Sequence, residues 1–425
     1  MGIAISAMNH PTINRSRLLN RFLQYVRLDT TADASSAGYP SSPGQLELGK
    51  LLVEQLKALS IEDAHQDEHG LVWGTVPATV AGPAPTILLN AHLDTSPETT
   101  GKNVQPQVIE NYSGNEILLG TSGLSLSATN TPSLNQLIGK TLIATDGTTL
   151  LGGDDKAGVA ILMELAQTLI ENPHLPHGPV RLLFTCDEEI GQGTKHVRLD
   201  KISAVAGYTL DGGGAGTLDV ETFSADQATV WFRGKNIHPS IAKGAMINTI
   251  RAVGHFIDHM PKHILAPEVT DGRRGFLHPY SLQGGVAESK LLILLRDFDT
   301  PRLVEYAKLL EDLAHETELL WPGLKVRVEI AHQYRNMGDG LRRNPLVADL
   351  AEQAYLRLNR PCQREIIRGG TDGALLTALG LPTPNLSSGQ YNIHSPLEFA
   401  CLDEMIEACE HLVVLLDLWQ QHGRS

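Results

Sequence analysis

Four short clusters of acidic residues and histidine have the composition of a metal site. Three come directly after apolar stretches and the fourth precedes a long apolar segment; they are His92-Leu93-Asp94, Asp187-Glu188-Glu189, Asp211 and Asp154-Asp155. If the stretches are strands of one open α/β sheet, their carboxyl ends meet at a single crevice, which is where such sheets bind ligands. Carboxylates gathered there repel one another unless cations neutralise them. The pattern therefore predicts a metal site at this edge.

Each cluster also has a simpler interpretation. A His-x-Asp pair is more often only hydrogen bonded, and acids at the start of a helix are favoured by its dipole. The occurrence of all four clusters at the ends of apolar stretches favours the metal interpretation. Mixed histidine and carboxylate ligands suit zinc, with cobalt or manganese as substitutes. Asp94, two residues after His92, fits the carboxylate that orients a metal-binding imidazole.

Strands and a long helix must position these clusters. Apolar runs predict strands at 71–76, 86–91, 180–186 and 205–210, and residues 155–171 have the length and period of a helix. Strands that alternate with helices indicate an α/β domain, with a mostly parallel sheet covered on both faces.

A different order of elements begins near Glu221. The pattern predicts strands at 227–234, 274–282, 288–299 and 325–334, and helices at 247–260 and 301–320. The order β-α-β-β-α-β is that of a ferredoxin-like α+β domain. After Asn336 the α/β pattern returns. We therefore expect one α/β domain, residues 1–222 and 337–425, interrupted by an α+β domain, residues 223–336.

Composition excludes several classes of partner. The 425 residues carry a formal net charge of −14, with 34 Lys and Arg against 48 Asp and Glu. This excess argues against binding to nucleic acid or to an anionic membrane, because phosphate contacts need clustered cations. Four cysteines without a C-x-x-C pair indicate a reducing compartment. The first 15 residues lack the pattern of a signal peptide, so we expect a cytoplasmic protein.

Longer motifs around the clusters resemble those of the peptidase T family of di-zinc exopeptidases. In chain order they are NAHLDT, LLGGDDKAG, FTCDEEIGQGTKH, YTLDGGG, GKNIHPSIAKG and IRGGTDGALL followed by YNIHSPLEF. Members of this family are tripeptide aminopeptidases, related to carboxypeptidase G and aminoacylase. The resemblance implies a zinc exopeptidase catalytic domain, an inserted domain that serves as lid and dimerisation domain, and a homodimer.

The resemblance also implies the metal ligands. His92, Asp154 and Asp211 would bind one zinc ion, and Asp154, Glu189 and His394 the other, so that Asp154 bridges the two. It further implies a cis peptide bond after Asp154.

Catalytic and substrate-binding roles follow from the same resemblance. Glu188 would be the general base for a water molecule, and Asp94 would orient His92. Arg368 and Arg296 would meet the substrate carboxylate, and His238 of the inserted domain would polarise the scissile carbonyl; all three are substrate-binding predictions.

These roles predict hydrolysis of the N-terminal peptide bond of tripeptides. Two alternatives stay open, another amidohydrolase of the same group (a dipeptidase or an N-acyl amino acid deacylase) and a metal-binding protein without catalysis. The segment after His394, Ser395-Pro396-Leu397-Glu398-Phe399, differs from the family pattern Gly-Lys-His-Glu-Phe, although Glu398 is kept.

Overall fold

Two units account for residues 12–423, the part of the chain that the computed structural model describes. The first comprises the residues up to Val220, Gly340–Glu365 and the residues from Thr371 onward; the second comprises Glu221–Asp339 and Ile366–Gly370. Most of the segment in which we expect no signal peptide lies outside the described residues.

Ten α-helices lie within residues 12–423. In chain order they are α1 Arg15–Val26, α2 Pro43–Ala58, α3 Gly153–Glu171, α4 Leu199–Ile202, α5 Thr249–His259, α6 Thr300–Leu320, α7 Gly338–Arg343, α8 Leu346–Arg357, α9 Asp372–Leu379 and α10 Leu402–His422. Among these helices, none combines the length and the apolar character that crossing a lipid bilayer requires.

Eighteen strands lie within the same described range. They are β1 His65–Gln66, β2 Val72–Val76, β3 Ile87–His92, β4 Gln107–Ile109, β5 Ile117–Leu118, β6 Ser125–Leu126, β7 Leu142–Ala144, β8 Val180–Thr185, β9 Ala206–Gly212, β10 Thr217–Thr222, β11 Ser224–Arg233, β12 Phe276–Gly284, β13 Glu288–Asp297, β14 Lys325–Tyr334, β15 Gln363–Ile367, β16 Asn385–Ser387, β17 Gln390–Tyr391 and β18 Phe399–Cys401.

The first unit is built on an eight-stranded sheet in the order β1-β2-β8-β3-β9-β16-β10-β15. The four central strands β8, β3, β9 and β16 pair in parallel, whereas β2 pairs with β8 and β10 pairs with β16 in antiparallel fashion. All six residues of β3 are buried, as expected for a strand covered on both faces. The predicted mostly parallel α/β sheet is confirmed for these central strands.

Helix α3 packs against the sheet and is buried along almost its whole length. Its sequence is apolar on most sides, which is typical of a helix enclosed between a sheet and further helices. Here α1 and α10 pack against it in addition to β3 and β9. A rigid, enclosed helix therefore begins at the acidic pair that starts α3.

A small sheet in the order β17-β18-β7-β4 also belongs to the first unit. Leu142, Ala144 and Phe399 of this sheet belong to a buried apolar cluster. The loop between β17 and β18 contains His394, and the chain between β7 and α3 leads to Asp154. This sheet consequently anchors two segments that carry predicted metal ligands.

The second unit contains a four-stranded antiparallel sheet in the order β12-β13-β11-β14. Helices α5 and α6 pack on it around a core that includes Val230, Phe256, Ile293 and Leu310. The order of elements, β11-α5-β12-β13-α6-β14, and this strand order are those of a ferredoxin-like fold, as predicted.

Candidate metal centre

His92 is the last residue of β3, where the strand emerges at the carboxyl edge of the sheet. Its Nε2 lies 2.9 Å from Asp154 Oδ1 and 3.9 Å from Asp211 Oδ1. Asp211 lies near the end of the neighbouring parallel strand β9, which runs from Ala206 to Gly212. Parallel pairing of β3 and β9 thus brings the two strand ends, and the two predicted ligands, to the same place.

Asp94 holds both the histidine and the acidic loop. Its Oδ1 lies 3.3 Å from His92 Nδ1 and accepts the backbone N–H of Glu188 at 3.0 Å, while Oδ2 accepts the N–H of Glu189, also at 3.0 Å. A carboxylate on Nδ1 leaves Nε2 directed toward the other acids, which is how such carboxylates orient metal-binding imidazoles. Asp94 therefore orients three predicted site residues at once.

Asp154 stands between two histidines. Its Oδ1 contacts His92, and its Oδ2 lies 3.2 Å from His394 Nε2. The peptide bond between Asp154 and Asp155 is cis, as the resemblance implied, and the two residues have non-helical dihedral angles at the start of α3. The two carboxylate oxygens of Asp154 are divided between two histidines from distant parts of the sequence.

His394 and Glu189 complete the second half of the cluster. His394 Nε2 lies 3.0 Å from Glu189 Oε2, and one ligand atom each from His92, Asp154 and Glu189 fall within 4.8 Å of one another. His394 has a left-handed backbone conformation, with φ of 62°. The five predicted metal ligands, His92, Asp154, Glu189, Asp211 and His394, are all brought together in the first unit.

The ionisable groups strongly influence one another's protonation. Burial by itself lowers the pKa of His92, but hydrogen bonds to Asp154 and Asp94 raise it well above the usual value. Burial acts in the same direction on His394, whose pKa is nevertheless raised to about 11 by its contacts with Asp154 and Glu189. Burial would raise the pKa of Asp154, whereas the two histidines hold it below its usual range. The two imidazoles thus favour the ionised form of Asp154.

The remaining acids are held toward their neutral forms. Burial raises the pKa of Glu189 to about 7, with the charge of Asp154 adding to the effect. Burial, and then the charges of Asp154 and Asp155, raise the pKa of Asp211 well above the usual carboxyl value. Positive charge placed among these acids would favour their ionised forms. The electrostatics of the cluster therefore fit cation binding.

The donor set also fits divalent metal ions. Two imidazoles and three carboxylates, which contact one another, offer the mixed nitrogen and oxygen ligands that such ions bind. Within residues 12–423, the buried Glu189 Oε1 has no hydrogen-bond partner, although a buried carboxylate oxygen normally has one. A second group of ligand atoms, from His92, Asp155 and Asp211, is equally compact.

Glu188 follows the strand β8 and is the neighbour of Glu189 in sequence. Its backbone N–H is fixed by Asp94, and the loop bends there because Asp187 has φ of 61°. Burial raises the pKa of Glu188 well above the usual glutamate value. A carboxyl group with a raised pKa beside a candidate metal site has the properties required of a group that accepts and returns a proton.

Asp155 has a structural role that the motif alone did not reveal. Its Oδ2 accepts the backbone N–H of His92 at 3.1 Å, and its Oδ1 accepts the N–H of Gly158 at 3.1 Å. A Cβ on Gly158 would lie only 2.4 Å from Asp155 Oδ1, so only glycine fits there. Asp155 therefore ties the end of β3 to the first turn of α3.

Asp372 is a buried acid that sequence reasoning did not single out. It is the first residue of α9, its Oδ2 accepts a short hydrogen bond from Thr185 Oγ1 at the end of β8, and burial raises its pKa to about 6. A Cβ on Gly193 would come within 1.9 Å of Asp372 Oδ1. The sequence signal that could have pointed to this residue is the Thr-Asp-Gly motif directly after the two glycines at 369–370. Asp372 thus packs beneath the loop that carries Glu188 and Glu189.

Glu398 connects the two segments that carry His394 and Asp154. Its Oε2 accepts the N–H groups of Leu151 and Gly152 at 2.7 and 2.8 Å, and its Oε1 accepts that of Asp154 at 3.0 Å. The side chain is buried, and burial raises its pKa to about 7. Glu398 therefore positions the start of α3 rather than contacting the predicted ligand atoms.

We expect Glu398→Ala to lower the free energy of unfolding by about 2–5 kcal/mol, because three buried N–H groups lose their carboxyl acceptor. Urea unfolding of the metal-free protein measures this change. Glu352→Ala, which removes a partly exposed ion pair with Arg364, is the control and should cost at most about 1 kcal/mol. Equal losses in the two variants would contradict the positioning role.

The three predicted substrate-binding residues lie in the second unit. Arg368 donates to the carbonyl oxygens of Gly272, Arg274 and Thr270, and its guanidinium lies 5.1 Å from the ring centre of Phe223. Those contacts hold the segment 270–274 in place.

Arg296 and His238 have their own local contacts in this unit. Arg296 donates to the carbonyl oxygens of Asp226 and Leu295. His238 is exposed, and its Nδ1 accepts the backbone N–H of Ser240 at 3.3 Å. With Nδ1 as acceptor, the neutral ring carries its proton on Nε2.

Comparison with known proteins identifies the family. The model of Peptidase family M20/M25/M40 matches residues 150–417. A relative from Geobacillus thermodenitrificans named peptidase T is 42% identical over 408 residues, which is 96% of this chain and 99% of the relative.

Solved structures show the same fold. A tripeptidase from Staphylococcus aureus superposes with a TM-score of 0.76 at 24% identity, over 96% of this chain and 100% of that one. A dinuclear metal-binding peptidase of the M20 family from Bacillus subtilis gives a TM-score of 0.65 at 15% identity, over 96% and 98%. The resemblance to peptidase T and the predicted fold class are confirmed. The chain belongs to Peptidase family M20/M25/M40 and is a homologue of peptidase T.

Proposed function

We propose that the protein is an aminopeptidase that removes the N-terminal residue of tripeptides and uses two zinc ions. The observation on which the proposal depends is the division of Asp154 between His92 and His394. A carboxylate with one oxygen toward each of two ligand groups is the natural bridge between two cations. The relatives named peptidase T support the substrate class.

Each metal ion would be held by three residues, and Asp154 would belong to both sets. His92, Asp154 and Asp211 would hold one ion, and Asp154, Glu189 and His394 the other. When bound, two divalent ions supply Lewis acidity, which makes water a nucleophile near neutral pH and stabilises charge on the carbonyl oxygen. Cobalt and manganese accept the same nitrogen and oxygen donors and are possible substitutes.

Glu188 would move the protons of the reaction. Its carboxylate would accept a proton from the attacking water and then donate it to the leaving amine. The raised pKa of Glu188, which burial causes, supports this role, because a carboxylate with a raised pKa is a stronger base. Asp94 would keep Glu188 in position through the backbone N–H that it accepts.

We propose that Arg368 also recognises the substrate carboxylate, which makes Arg368→Ala informative. If it does, the variant should lose at least about tenfold in kcat/KM on a tripeptide, since charged hydrogen bonds contribute about 1.5–3 kcal/mol, and little on the same peptide with an amidated C-terminus. Equal losses on both peptides would instead assign Arg368 to holding the segment 270–274, whose carbonyl oxygens it binds.

A substrate panel tests the proposed function. Zinc-loaded protein should cleave tripeptides with a kcat/KM at least about tenfold above that for dipeptides and N-acetyl amino acids. A preference for dipeptides or acylated amino acids would favour the related amidohydrolases. No turnover of any member by protein with two bound metals would favour a metal-binding protein without catalysis.

Several further predictions concern the whole protein. We propose that it is a homodimer formed through the inserted unit, that it acts in the cytoplasm, and that the inserted unit serves as a lid that carries His238 and Arg296 to the substrate. The dimer and the lid rest on the family resemblance, whereas the cytoplasmic location rests on composition, since four cysteines without a C-x-x-C pair indicate a reducing compartment.

A further inference from the structure

A second group of potential metal ligands lies in the inserted unit. His255 and His259 are one turn apart on α5, and Glu316 is on α6. One ligand atom from each of the three falls within 4.8 Å of the others. Two histidines at i and i+4 project from the same face of a helix, so their ring nitrogens can reach one ion.

The tautomer of the neutral His259 ring leaves one ring nitrogen available as a metal ligand. Its Nδ1 lies 2.9 Å from the carbonyl oxygen of His255, which can only accept, so Nδ1 carries the proton. Nε2 of the neutral ring therefore keeps its lone pair. A backbone carbonyl on the other ring nitrogen is the arrangement that fixes metal-binding histidines in proteins.

The ligands stand on rigid elements. His255 is half-buried, and its ring packs edge-on against Trp321, with 5.2 Å between ring centres, and lies 3.8 Å from the ring of His259. The two helices are fixed by the apolar core, in which Phe256 of α5 and Ala314 of α6 are buried. Little backbone freedom would therefore be lost when an ion binds.

We propose that His255, His259 and Glu316 form a separate site for a divalent transition-metal ion such as Zn²⁺ or Ni²⁺. Two imidazoles and one carboxylate are a known zinc ligand set, and three protein ligands leave a coordination position open for water or for an outside group. His259 and Glu316 are exposed, so the ion exchanges with solvent. The bound ion links α5 to α6 and is independent of the proposed catalytic metals.

Nickel titration tests this site in protein that has been loaded with zinc and then dialysed to two zinc ions per chain, which leaves the solvent-exchanging site empty. The readout is fluorescence, because Ni²⁺ quenches nearby tryptophan. We expect quenching that saturates at one equivalent per chain and is absent in Trp321→Phe, while equilibrium dialysis shows that this variant still binds the ion. His255→Ala, His259→Ala and Glu316→Gln should each weaken binding at least about tenfold, since even outer partners of a metal site contribute 10–100-fold.

His315→Ala is the matched control, because it removes an exposed histidine next to Glu316 that is not part of the group. It should bind Ni²⁺ as the wild type does. The proposal is overturned if the wild type takes up no nickel beyond the level of the His255→Ala/His259→Ala double variant, or if His315→Ala weakens binding as much as His259→Ala does. Both readouts are independent of peptidase activity, so they stand apart from the proposed function.

Discussion

Glu188→Gln should reduce kcat on tripeptides by about 10²–10⁴-fold, the range that a positioned general base contributes. Such a loss corresponds to roughly 3–5 kcal/mol of transition-state stabilisation. Glutamine keeps the size of the side chain and the backbone N–H that Asp94 binds, but it can neither accept nor return a proton. Steady-state kinetics of the zinc-loaded variant measures the change. KM should change far less than kcat, because the lost interaction belongs to the chemical step.

The adjacent glutamate provides the contrast that makes this result specific. Glu189→Gln should lose both activity and bound metal, because its carboxylate contacts His394 and is a proposed ligand. Glu188→Gln should keep the metal content of the wild type, as determined by atomic absorption. Glu62→Gln, an exposed position, controls for the loss of one acid and should leave both properties unchanged. Full activity in Glu188→Gln would exclude it as the base.

The alternation of apolar runs was sufficient to predict both units of the fold. The strands at 87–92 and 180–185 and the helix that ends at Glu171 lie within two residues of their predicted limits. Their periodicity is strong because the surrounding layers bury them. The sequence pattern placed the segment 366–370 in the α/β domain. In the structure this segment groups with the second unit, although the chain on both sides belongs to the first. Contacts such as those of Arg368 with 270–274 have no signature in a linear sequence.

Part of the cluster of candidate ligands could be predicted, because His92, Glu189 and Asp211 lie at or just after the ends of neighbouring strands of one sheet. Asp154 precedes a helix and His394 lies in a loop, and the family resemblance was needed to include His394. Asp155, Asp372 and Glu398 could not be assigned in the same way, because their partners are backbone N–H groups and a threonine hydroxyl. Every residue type except proline supplies a backbone N–H, so nothing in the sequence marks which residue donates to a given carboxylate. An acid that binds a metal and an acid that binds the backbone therefore look alike until the fold brings them together.

Asp154→Asn should have the largest effect on metal binding. Both Asp154 oxygens face histidines of the cluster, so an amide replaces a shared anionic ligand with a neutral group that has only one acceptor atom. Outer partners of metal ligands contribute 10–100-fold in affinity, and a bridging ligand should contribute at least about 100-fold for each ion. We expect the variant to retain less than one metal ion per chain after dialysis and to lose tripeptidase activity.

The protonation of the two histidines gives a second readout for the same variant. The Asp154 contact contributes to the raised pKa of both His92 and His394 in the metal-free protein. NMR titration of the imidazoles of Asp154→Asn should therefore give lower pKa values for both rings than in the wild type. Asp200→Asn, whose acid pairs with Arg198 on the surface, should change neither metal content nor these values. Two bound ions and unchanged histidine titration in Asp154→Asn would contradict the bridge, because both properties depend on the one carboxylate that the two histidines share.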